Sequence, residues 1–237
     1  MAYYDAGISS QGSRTRLNGA PICVPNKSSF ADFGGKSTQF DTHAVIYYEG
    51  DPAKRLYELV AGTVMLYKLL PDGRRQVVEV LRPGDIFGLS AEDEYDCTAE
   101  SLTVAEVHEI DLKQVDRSPE LQLTLTKCLS SQMGVLHEHA VLLGRKSAVE
   151  RVASFLMHLV PHRGGVGCPG PDDDANDGYD LQLHMTRQEI ADYLGLTIET
   201  VSRVVSDLKR RGVIRVDRAD KIHLNRICGL CQITGMH

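Results

Sequence analysis

The chain has 237 residues, enough for one or two domains with a substantial core. Its net charge of −6 argues weakly against a nucleic-acid-binding protein, but residues 187–226 hold nine Lys/Arg against six Asp/Glu, a local +3 that leaves −9 elsewhere. No apolar run could span a membrane, no signal peptide opens the chain, and the six cysteines are irregularly spaced, so we expect a cytoplasmic protein with reduced thiols and no membrane contact.

The first half of the chain is predicted to form a tail and then a β-roll. Residues 1–27 are rich in Ser, Gly and Asn and lack periodicity, which indicates a flexible tail. Residues 28–116 contain short β-prone runs, with Asp72-Gly73 as a strong hairpin signal. Glycines recur every 11 or 12 residues, at Gly50, Gly62, Gly73 and Gly84. This spacing is typical of a small barrel or roll, which is either a ligand pocket or only a scaffold.

Residues 117–144 predict a long helix that joins the roll to the rest of the chain. Its apolar stripe consists of Leu125, Leu129, Leu136, Ala140 and Leu143. A long helix that is apolar on one side is typical of a dimerisation helix, and packing against its own domain is the alternative. Gly144 is expected to end the helix.

Residues 145–237 predict a winged helix-turn-helix domain. Ser147 and Glu150 cap its first helix, and a Gly/Pro/Asp-rich exposed loop at 162–179 leads into a short strand. Residues 186–212 then read as two short helices broken at Gly195, followed by a β-hairpin around 218–220. The fold class is therefore α+β: an N-terminal β-roll, a long helix and a C-terminal winged helix-turn-helix.

The second of these two short helices is predicted to enter the major groove of double-stranded DNA. Its apolar positions are Val201, Val204, Val205 and Leu208. Turning them inward leaves a polar face opposite, as groove insertion requires. The predicted DNA contacts are Thr186, Arg187, Thr197, Glu199, Thr200, Ser202, Arg203, Ser206, Lys209 and Arg210.

Several motifs carry a resemblance to a known family. In the roll they are YYEGD, LVAGTV, KLLPDGRRQV and PGDIFGL, and in the helices LLGRKSAVERVASFL and MTRQEIADYLGLTIETVSR. The chain resembles the CRP/FNR family of bacterial transcription regulators, and within it the FixK-like branch. The most specific match is the E-x-x-S-R pattern at Glu199, Ser202 and Arg203. The resemblance implies a homodimer that contacts RNA polymerase, as an activator or repressor, and binds a TTGAT-like inverted repeat in microaerobic or nitrogen-fixation genes.

Two departures from the family argue against cofactors. After GDIFG, Leu89 and Ser90 replace the Gly-Glu pair with which relatives hold a cyclic nucleotide, and the acidic stretch 92–96 would repel a phosphate. An iron–sulfur cluster needs four thiolates, but Cys23 is the only N-terminal cysteine, and His108 occupies the cysteine position in the roll. We therefore expect neither cyclic nucleotide nor cluster, and an ordinary strand residue at His108. The alternative is an FNR-like regulator whose roll or cysteines sense a ligand or redox signal.

The remaining motifs are weak. Cys228 and Cys231 form a single CxxC, which indicates either two surface thiols or a redox switch; Cys128 and Cys168 are weaker candidates. Neither a paired-carboxylate pattern nor a nucleophile motif is present. We therefore predict no catalytic residues, no metal ligands and no enzymatic activity.

Overall fold

The computed structural model of the protein describes residues 30–161 and 177–235. The predicted tail and most of the predicted 162–179 loop lie outside these ranges. A 3₁₀ turn at Phe30–Phe33 comes first. Strands β1 to β11 are Lys36–Phe40, Val45–Tyr47, Arg55–Ala61, Val64–Leu69, Arg75–Leu81, Ile86–Phe87, Thr98–Ser101, Ala105–Asp111, Tyr179–Gln182, Ile214–Arg218 and Lys221–Leu224. Helices α1 to α6 are Leu112–Arg117, Pro119–Arg145, Ala148–His158, Arg187–Leu194, Ile198–Arg210 and Ile227–Thr234.

Strands β1 to β8 form the roll from two four-stranded sheets, in the orders β1-β8-β3-β6 and β2-β7-β4-β5. All of their pairings are antiparallel. The predicted hairpin at Asp72-Gly73 is confirmed, because β4 pairs with β5 around it and Gly73 has a φ of 82°. The α+β class, with a roll, a long helix and a C-terminal helix-turn-helix, is also confirmed.

Gly62 turns β3 into β4 at a point where a side chain has no room. Its φ is +89°, and a Cβ there would lie 2.3 Å from the Val104 carbonyl oxygen and 2.8 Å from the Ala105 Cα. We expect Gly62→Ala to destabilise the protein by more than about 2 kcal/mol, since left-handed backbone alone costs an alanine roughly 1–2 kcal/mol. Gly73→Ala is the matched control: its φ is +82°, but nothing lies within 4 Å of the Cβ position. Urea unfolding measures both, and equal losses would contradict the steric argument.

The long helix α2 packs its first half on the roll of its own chain. Leu121, Leu125 and Cys128 lie in a buried cluster with Phe30 and Leu56. Farther along, Gln132 donates from Nε2 to the Ile86 carbonyl oxygen at 2.7 Å. The helix also continues through Gly144 and ends at Arg145, where the Lys146 N–H caps the Leu142 carbonyl, so the predicted break at Gly144 is wrong by one residue.

A second apolar stripe of α2 faces outward. Its members are at least partly in solvent: Leu129, Met133, Leu136 and Ala140. The prediction of one dimerisation stripe must therefore be corrected. Leu125 belongs to the buried stripe, because it is 6% exposed and packs with Leu121 and Cys128 against the roll. Leu143 is half-buried against the core of the C-terminal domain. Leu129, Leu136 and Ala140 are left as the predicted contact surface.

Glu79, on β5, is 9% exposed and makes the roll sensitive to pH. Burial, with the nearby Asp85 adding to it, raises the pKa of Glu79 from its usual 4.5 to about 7, while a hydrogen bond from Gln132 opposes this shift. The folded state therefore binds more protons than the unfolded state between these values, so stability falls as pH rises through this window.

Glu79→Gln should remove this pH dependence, because the amide keeps the shape and carries no charge. The shift corresponds to at most roughly 3 kcal/mol, lost between about pH 4.5 and 7.5 in the parent protein. Urea midpoints at pH 5 and pH 8 measure it, with Glu92→Gln, at an exposed glutamate, as the control. Parallel pH profiles for Glu79→Gln and the parent would contradict the assignment.

The C-terminal domain comprises α3 to α6 and the three-stranded sheet β10-β11-β9. Its core is continuous with the roll, because Met65, Val77 and Leu102 belong to the same buried cluster as its helices. The predicted caps of α3 are confirmed: Ser147 and Glu150 form a capping box. The predicted loop ends earlier than expected, since Tyr179 begins β9. Asp177 is buried rather than exposed, and its Oδ2 accepts a hydrogen bond from the Cys228 N–H.

Arg151 ties the C-terminal domain to the end of α2. Its guanidinium donates to three carbonyl oxygens, those of Lys146 at 2.9 Å, Leu194 at 2.9 Å and Leu143 at 2.6 Å. These carbonyls end α2 and α4, where cations are favourable. The β4–β5 hairpin holds α4 from the other side, since Arg75 Nε lies 2.9 Å from Asp192 Oδ2. The orientation of α4 is therefore set by contacts with both the long helix and the roll.

Candidate nucleic-acid interface

Helix α4 begins with the predicted capping box. The Thr186 hydroxyl accepts from the Glu189 N–H at 3.2 Å, and Glu189 Oε2 accepts from the Thr186 N–H at 2.6 Å. These reciprocal bonds satisfy two backbone donors that a helix start leaves unpaired. The helix ends at Gly195, whose φ of 61° and ψ of 41° are left-handed, as the predicted tight turn requires.

Helix α5 begins at Ile198, three residues after Gly195. Thr197 caps it, accepting from the Thr200 N–H at 3.3 Å, as predicted. Ala191 on α4 is fully buried, so the small residue lies inside the helix pair as expected. The two helices are therefore joined by a short, fully capped turn.

The two faces of α5 are those predicted from its spacing. The buried residues are Val201, Val204, Val205 and Leu208. Apart from Ile198 at its start, the exposed residues are Glu199, Ser202, Arg203, Ser206, Lys209 and Arg210. An open groove runs along this exposed face, lined by Ser202, Arg203, Ser206, Asp207 and Arg210. The helix thus presents one polar side from its first turn to its last.

The exposed face carries both donors and acceptors. The Glu199 backbone N–H and the Thr197 hydroxyl lower the pKa of Glu199, so it is an ionised acceptor at neutral pH. Arg203 makes a long contact of 3.4 Å from Nε to the Glu199 carbonyl oxygen and can be redirected at little cost. Arg210 forms an ion pair with Asp207, which also pairs with Arg211 at 2.7 Å. The face is therefore cationic at its C-terminal end.

The other predicted contacts are distributed around the turn. Thr186, Thr197 and Thr200 lie near the helix starts, and the first two use their hydroxyls as caps. Arg187 is half-buried, and burial lowers its pKa from the ordinary value, although a guanidinium stays charged at neutral pH. These residues surround the N-terminal ends of both helices, where backbone donors also suit a phosphate.

The predicted hairpin is confirmed, since β10 pairs with β11 in an antiparallel register. Its tip carries Arg218 and Lys221, both exposed, and Arg211 lies between it and α5. The residue-level prediction omitted these three cations. The local excess of Lys and Arg from 187 to 226 was the signal that could have found them. The hairpin forms a wing beside α5.

The interior of the roll is filled by aromatic rings. Tyr47 stacks on Tyr95 with ring centroids 3.8 Å apart, and Tyr57 stacks on Phe87 at 5.2 Å. All four rings are buried, and burial raises the pKa of Tyr57 from its ordinary value, so its hydroxyl stays neutral. His108 is a strand residue of β8, as predicted, with Nδ1 3.6 Å from Glu58 Oε2. The rings form part of an apolar cluster inside the roll.

The cysteines are not placed as the sequence predicted. Cys228 and Cys231 lie on α6, where Cys231 is 8% exposed and part of the C-terminal core. The interpretation as two surface thiols is wrong for Cys231, because α6 packs on α3 and turns that residue inward. Cys128 is disulfide-bonded, contrary to the expectation of reduced thiols, and Cys168 lies outside the described residues. A redox role for Cys228 and Cys231 stays a prediction.

A polar helix braced by a capped helix and flanked by a wing defines a winged helix-turn-helix DNA-binding protein, here joined to a roll by a long helix. Comparisons with known proteins agree with this class. Residues 150–233 match the Crp-like helix-turn-helix domain family, and residues 37–118 match the cyclic nucleotide-binding domain family. In the described part of the chain, every helix is too short or too polar to cross a membrane.

Curated relatives and a solved structure narrow the class. The nitrogen fixation regulation protein FixK of Rhizobium meliloti is 41% identical over 181 residues, covering 76% of this chain and 78% of the relative. FixK of Bradyrhizobium diazoefficiens is 35% identical over 186 residues, covering 77% and 75%. The structure of FixK2 from Bradyrhizobium japonicum has a TM-score of 0.70 and 32% identity, covering 84% of this chain and 96% of that one. The chain belongs to the CRP/FNR family of transcription regulators and is of the FixK type.

Proposed function

We propose that the protein is a homodimeric activator that binds a TTGAT-like inverted repeat and controls microaerobic or nitrogen-fixation genes through RNA polymerase. The exposed face of α5 carries the proposal: Glu199, Ser202 and Arg203 are all in solvent, on one side and within the first two turns. The names of the FixK relatives support the choice of target genes.

The dimer rests on the outward stripe of α2. Leu129, Met133 and Leu136 are each between 43% and 55% exposed, and their spacing of three and four residues puts them on one side. A continuous apolar stripe of this kind is typical of a seam between two helices. A two-fold axis along α2 would direct both recognition helices to one side of the dimer, as an inverted repeat requires.

We further propose that neither cyclic nucleotide nor iron–sulfur cluster is needed. A cyclic nucleotide brings an anionic phosphate, which the stacked rings and the exposed carboxylates Glu92 and Glu94 do not fit. A cluster needs four thiolates close together. Cys97, Cys128 and Cys231 belong to three separate hydrophobic clusters, and so do not converge within the described residues.

Footprinting with the purified protein tests the proposal. We expect protection of inverted TTGAT repeats, unchanged by cyclic AMP or mild oxidant, and loss of protection when either half-site is scrambled. Binding should weaken steeply with salt, because phosphate contacts release counterions. Equal protection of scrambled DNA would contradict the operator assignment. Protection that appears only with cyclic AMP would contradict effector independence.

A second candidate is a ligand-responsive regulator, favoured by a crevice between the roll, α2 and the C-terminal domain. Its volume is about 560 Å³, and its lining includes Arg82, His139, Lys146 and Tyr193. The His139 ring stacks on Tyr193 at 4.3 Å, and both of its nitrogens are buried. A ligand held there would touch all three parts of the chain. Haem and fluorescent cyclic-nucleotide titrations separate this candidate from an effector-independent regulator, since only the former predicts saturable binding.

A further inference from the structure

Three side chains with metal-binding chemistry meet where the roll contacts α4. The Nδ1 of His43 lies 3.2 Å from Glu100 Oε1 and 3.9 Å from Glu189 Oε1. One ligand atom from each residue lies within 4.8 Å of the other two. His43 and Glu100 belong to the roll, whereas Glu189 is on the first helix of the helix-turn-helix. The group therefore spans the junction between the two domains.

Both carboxylates are held so that one oxygen points to the shared centre. Glu189 is 4% exposed, and its Oε2 accepts from the Thr186 N–H and hydroxyl at 2.6 and 2.9 Å. Its Oε1 is the atom that faces His43. Glu100 faces His43 with Oε1 and Arg75 with Oε2, the latter at 4.0 Å. Each carboxylate thus uses one oxygen for the protein, and the other is directed at His43.

His43 is held in a conformation that few residues adopt. Its φ is 61°, and within residues 30–161 and 177–235 it is the one non-glycine residue with a positive φ. The backbone is fixed there because the His43 N–H donates to the Ser101 carbonyl oxygen at 2.8 Å. Such strain persists where surrounding contacts impose it, and it is concentrated at functional sites. The side chain is 51% exposed, which leaves room for water and for entry of an ion.

The charges around this centre favour a cation. Arg75 pairs with Asp192 at 2.9 Å and lies farther from Glu100, at 4.0 Å, so it neutralises only part of the charge on Glu100 and Glu189. Two partly buried carboxylates therefore approach the same imidazole, and like charges placed close together repel. A bound cation would remove this repulsion.

We propose that His43, Glu100 and Glu189 bind a divalent transition-metal ion, for which Zn²⁺ fits best, and that the ion joins the roll to the helix-turn-helix. One imidazole and two carboxylates form a mixed N/O set, which suits Zn²⁺ better than Ca²⁺ or Mg²⁺. Tetrahedral zinc with bonds of about 2.1 Å separates its ligand atoms by about 3.4 Å. The distances from His43, 3.2 and 3.9 Å, bracket this value, and the ligand atoms of the two carboxylates lie within 4.8 Å of each other, so the carboxylates must move closer together to close the site. Water completes the coordination on the exposed side.

The sequence could not reveal this site. The ligands come from a loop before β2, from β7 and from α4, so no short motif contains two of them. Glu189 also serves as the capping-box residue of α4. An ion on its second oxygen would therefore act directly on the helix that braces the recognition helix. The proposal does not depend on the operator or on the dimer.

Zinc titration of the metal-stripped, full-length protein tests the site, with a fluorescent zinc chelator as competitor. We expect one tight equivalent per chain. His43→Asn removes the imidazole but keeps a side chain that tolerates positive φ, and Glu100→Gln keeps the size of its residue. Each should weaken zinc binding at least about tenfold, since even changes around a metal site cost 10–100-fold. Glu189 is left unchanged because its loss would also break the cap.

His223→Asn is the matched control. His223 also contacts a carboxylate, Asp180, at 2.7 Å, but within the described residues no third ligand lies beside it. Its zinc affinity should equal that of the parent, and zinc should raise the melting temperature of both but not of His43→Asn. Co²⁺ in place of Zn²⁺ should show no thiolate charge-transfer band. The proposal fails if the parent shows no saturable binding, if His43→Asn binds as tightly as the parent, or if the thiolate band appears.

Discussion

Leu136→Glu is expected to convert the dimer into a monomer that binds its operator weakly. Leu136 is 43% exposed in the single chain and lies in the middle of the outward stripe of α2. In a two-fold seam each copy places this residue against the partner helix. Burying an unpaired carboxylate costs several kcal/mol, and the seam would contain two of them. The monomer itself should stay folded, because the new charge lies in water.

Sedimentation velocity and operator titration measure the two consequences. Leu123→Glu is the matched control, because it makes the same change on the same helix at a residue that is 56% exposed and outside the stripe. It should leave the dimer intact. Loss of operator binding should follow dimer loss, since one half-site provides only half of the contacts. An unchanged sedimentation coefficient for Leu136→Glu would show that the dimer seam does not lie on this side of α2.

The helix-turn-helix could be predicted almost residue by residue because its determinants are local. The cap at Thr186 and Glu189 depends on residues three apart, and the left-handed turn depends on Gly195 alone. The burial of Val201 and Leu208 follows from the spacing within a single helix. Each of these features is specified within a few residues, so a single sequence is enough to identify it.

The long helix shows where this approach fails. Leu125 and Leu129 are four residues apart and both apolar, yet Leu125 is 6% exposed and Leu129 is 43% exposed. What separates them is the roll, which covers one stripe of α2 and leaves the neighbouring stripe in solvent. The position of the roll depends on contacts distant in sequence. Residue spacing alone therefore cannot show whether an apolar stripe of a helix packs on its own chain or is available to a partner.

The same limit applies to charged groups. Nothing in the sequence around Glu79 distinguishes it from an exposed glutamate, and its raised pKa arises from burial among distant strands. His43 likewise meets Glu189 only because the C-terminal domain packs on the roll. Groups whose chemistry depends on convergence of separate elements thus require the folded structure.

Arg203→Ala is expected to cost about 1–3 kcal/mol per half-site and to abolish discrimination at one G·C pair. Arg203 is exposed, and its guanidinium can make a bidentate contact with O6 and N7 of guanine. Glu199, one turn earlier, is an ionised acceptor suited to an amino group of cytosine or adenine. An inverted repeat with half-sites about one turn, roughly 34 Å, apart uses Arg203 twice, so the loss should double on the full operator.

Substitutions at the other end of α5 distinguish base recognition from phosphate contact. Lys209 is exposed, whereas Arg210 must exchange its ion pair with Asp207 for a phosphate. Lys209→Ala should weaken all sequences alike and reduce the salt slope by about 1 per half-site, or about 2 on the full operator, because one counterion fewer is released at each half-site. Arg210→Ala should weaken DNA binding less than Lys209→Ala. The parent protein must give up the ion pair between Arg210 and Asp207 before Arg210 can contact a phosphate, and this loss offsets part of the gain. Competition binding against half-sites altered at the G·C pair measures discrimination. If Arg203→Ala keeps full discrimination there while Lys209→Ala loses it, the base-reading end of α5 is the C-terminal one, and the assignment of its contacts must be reversed.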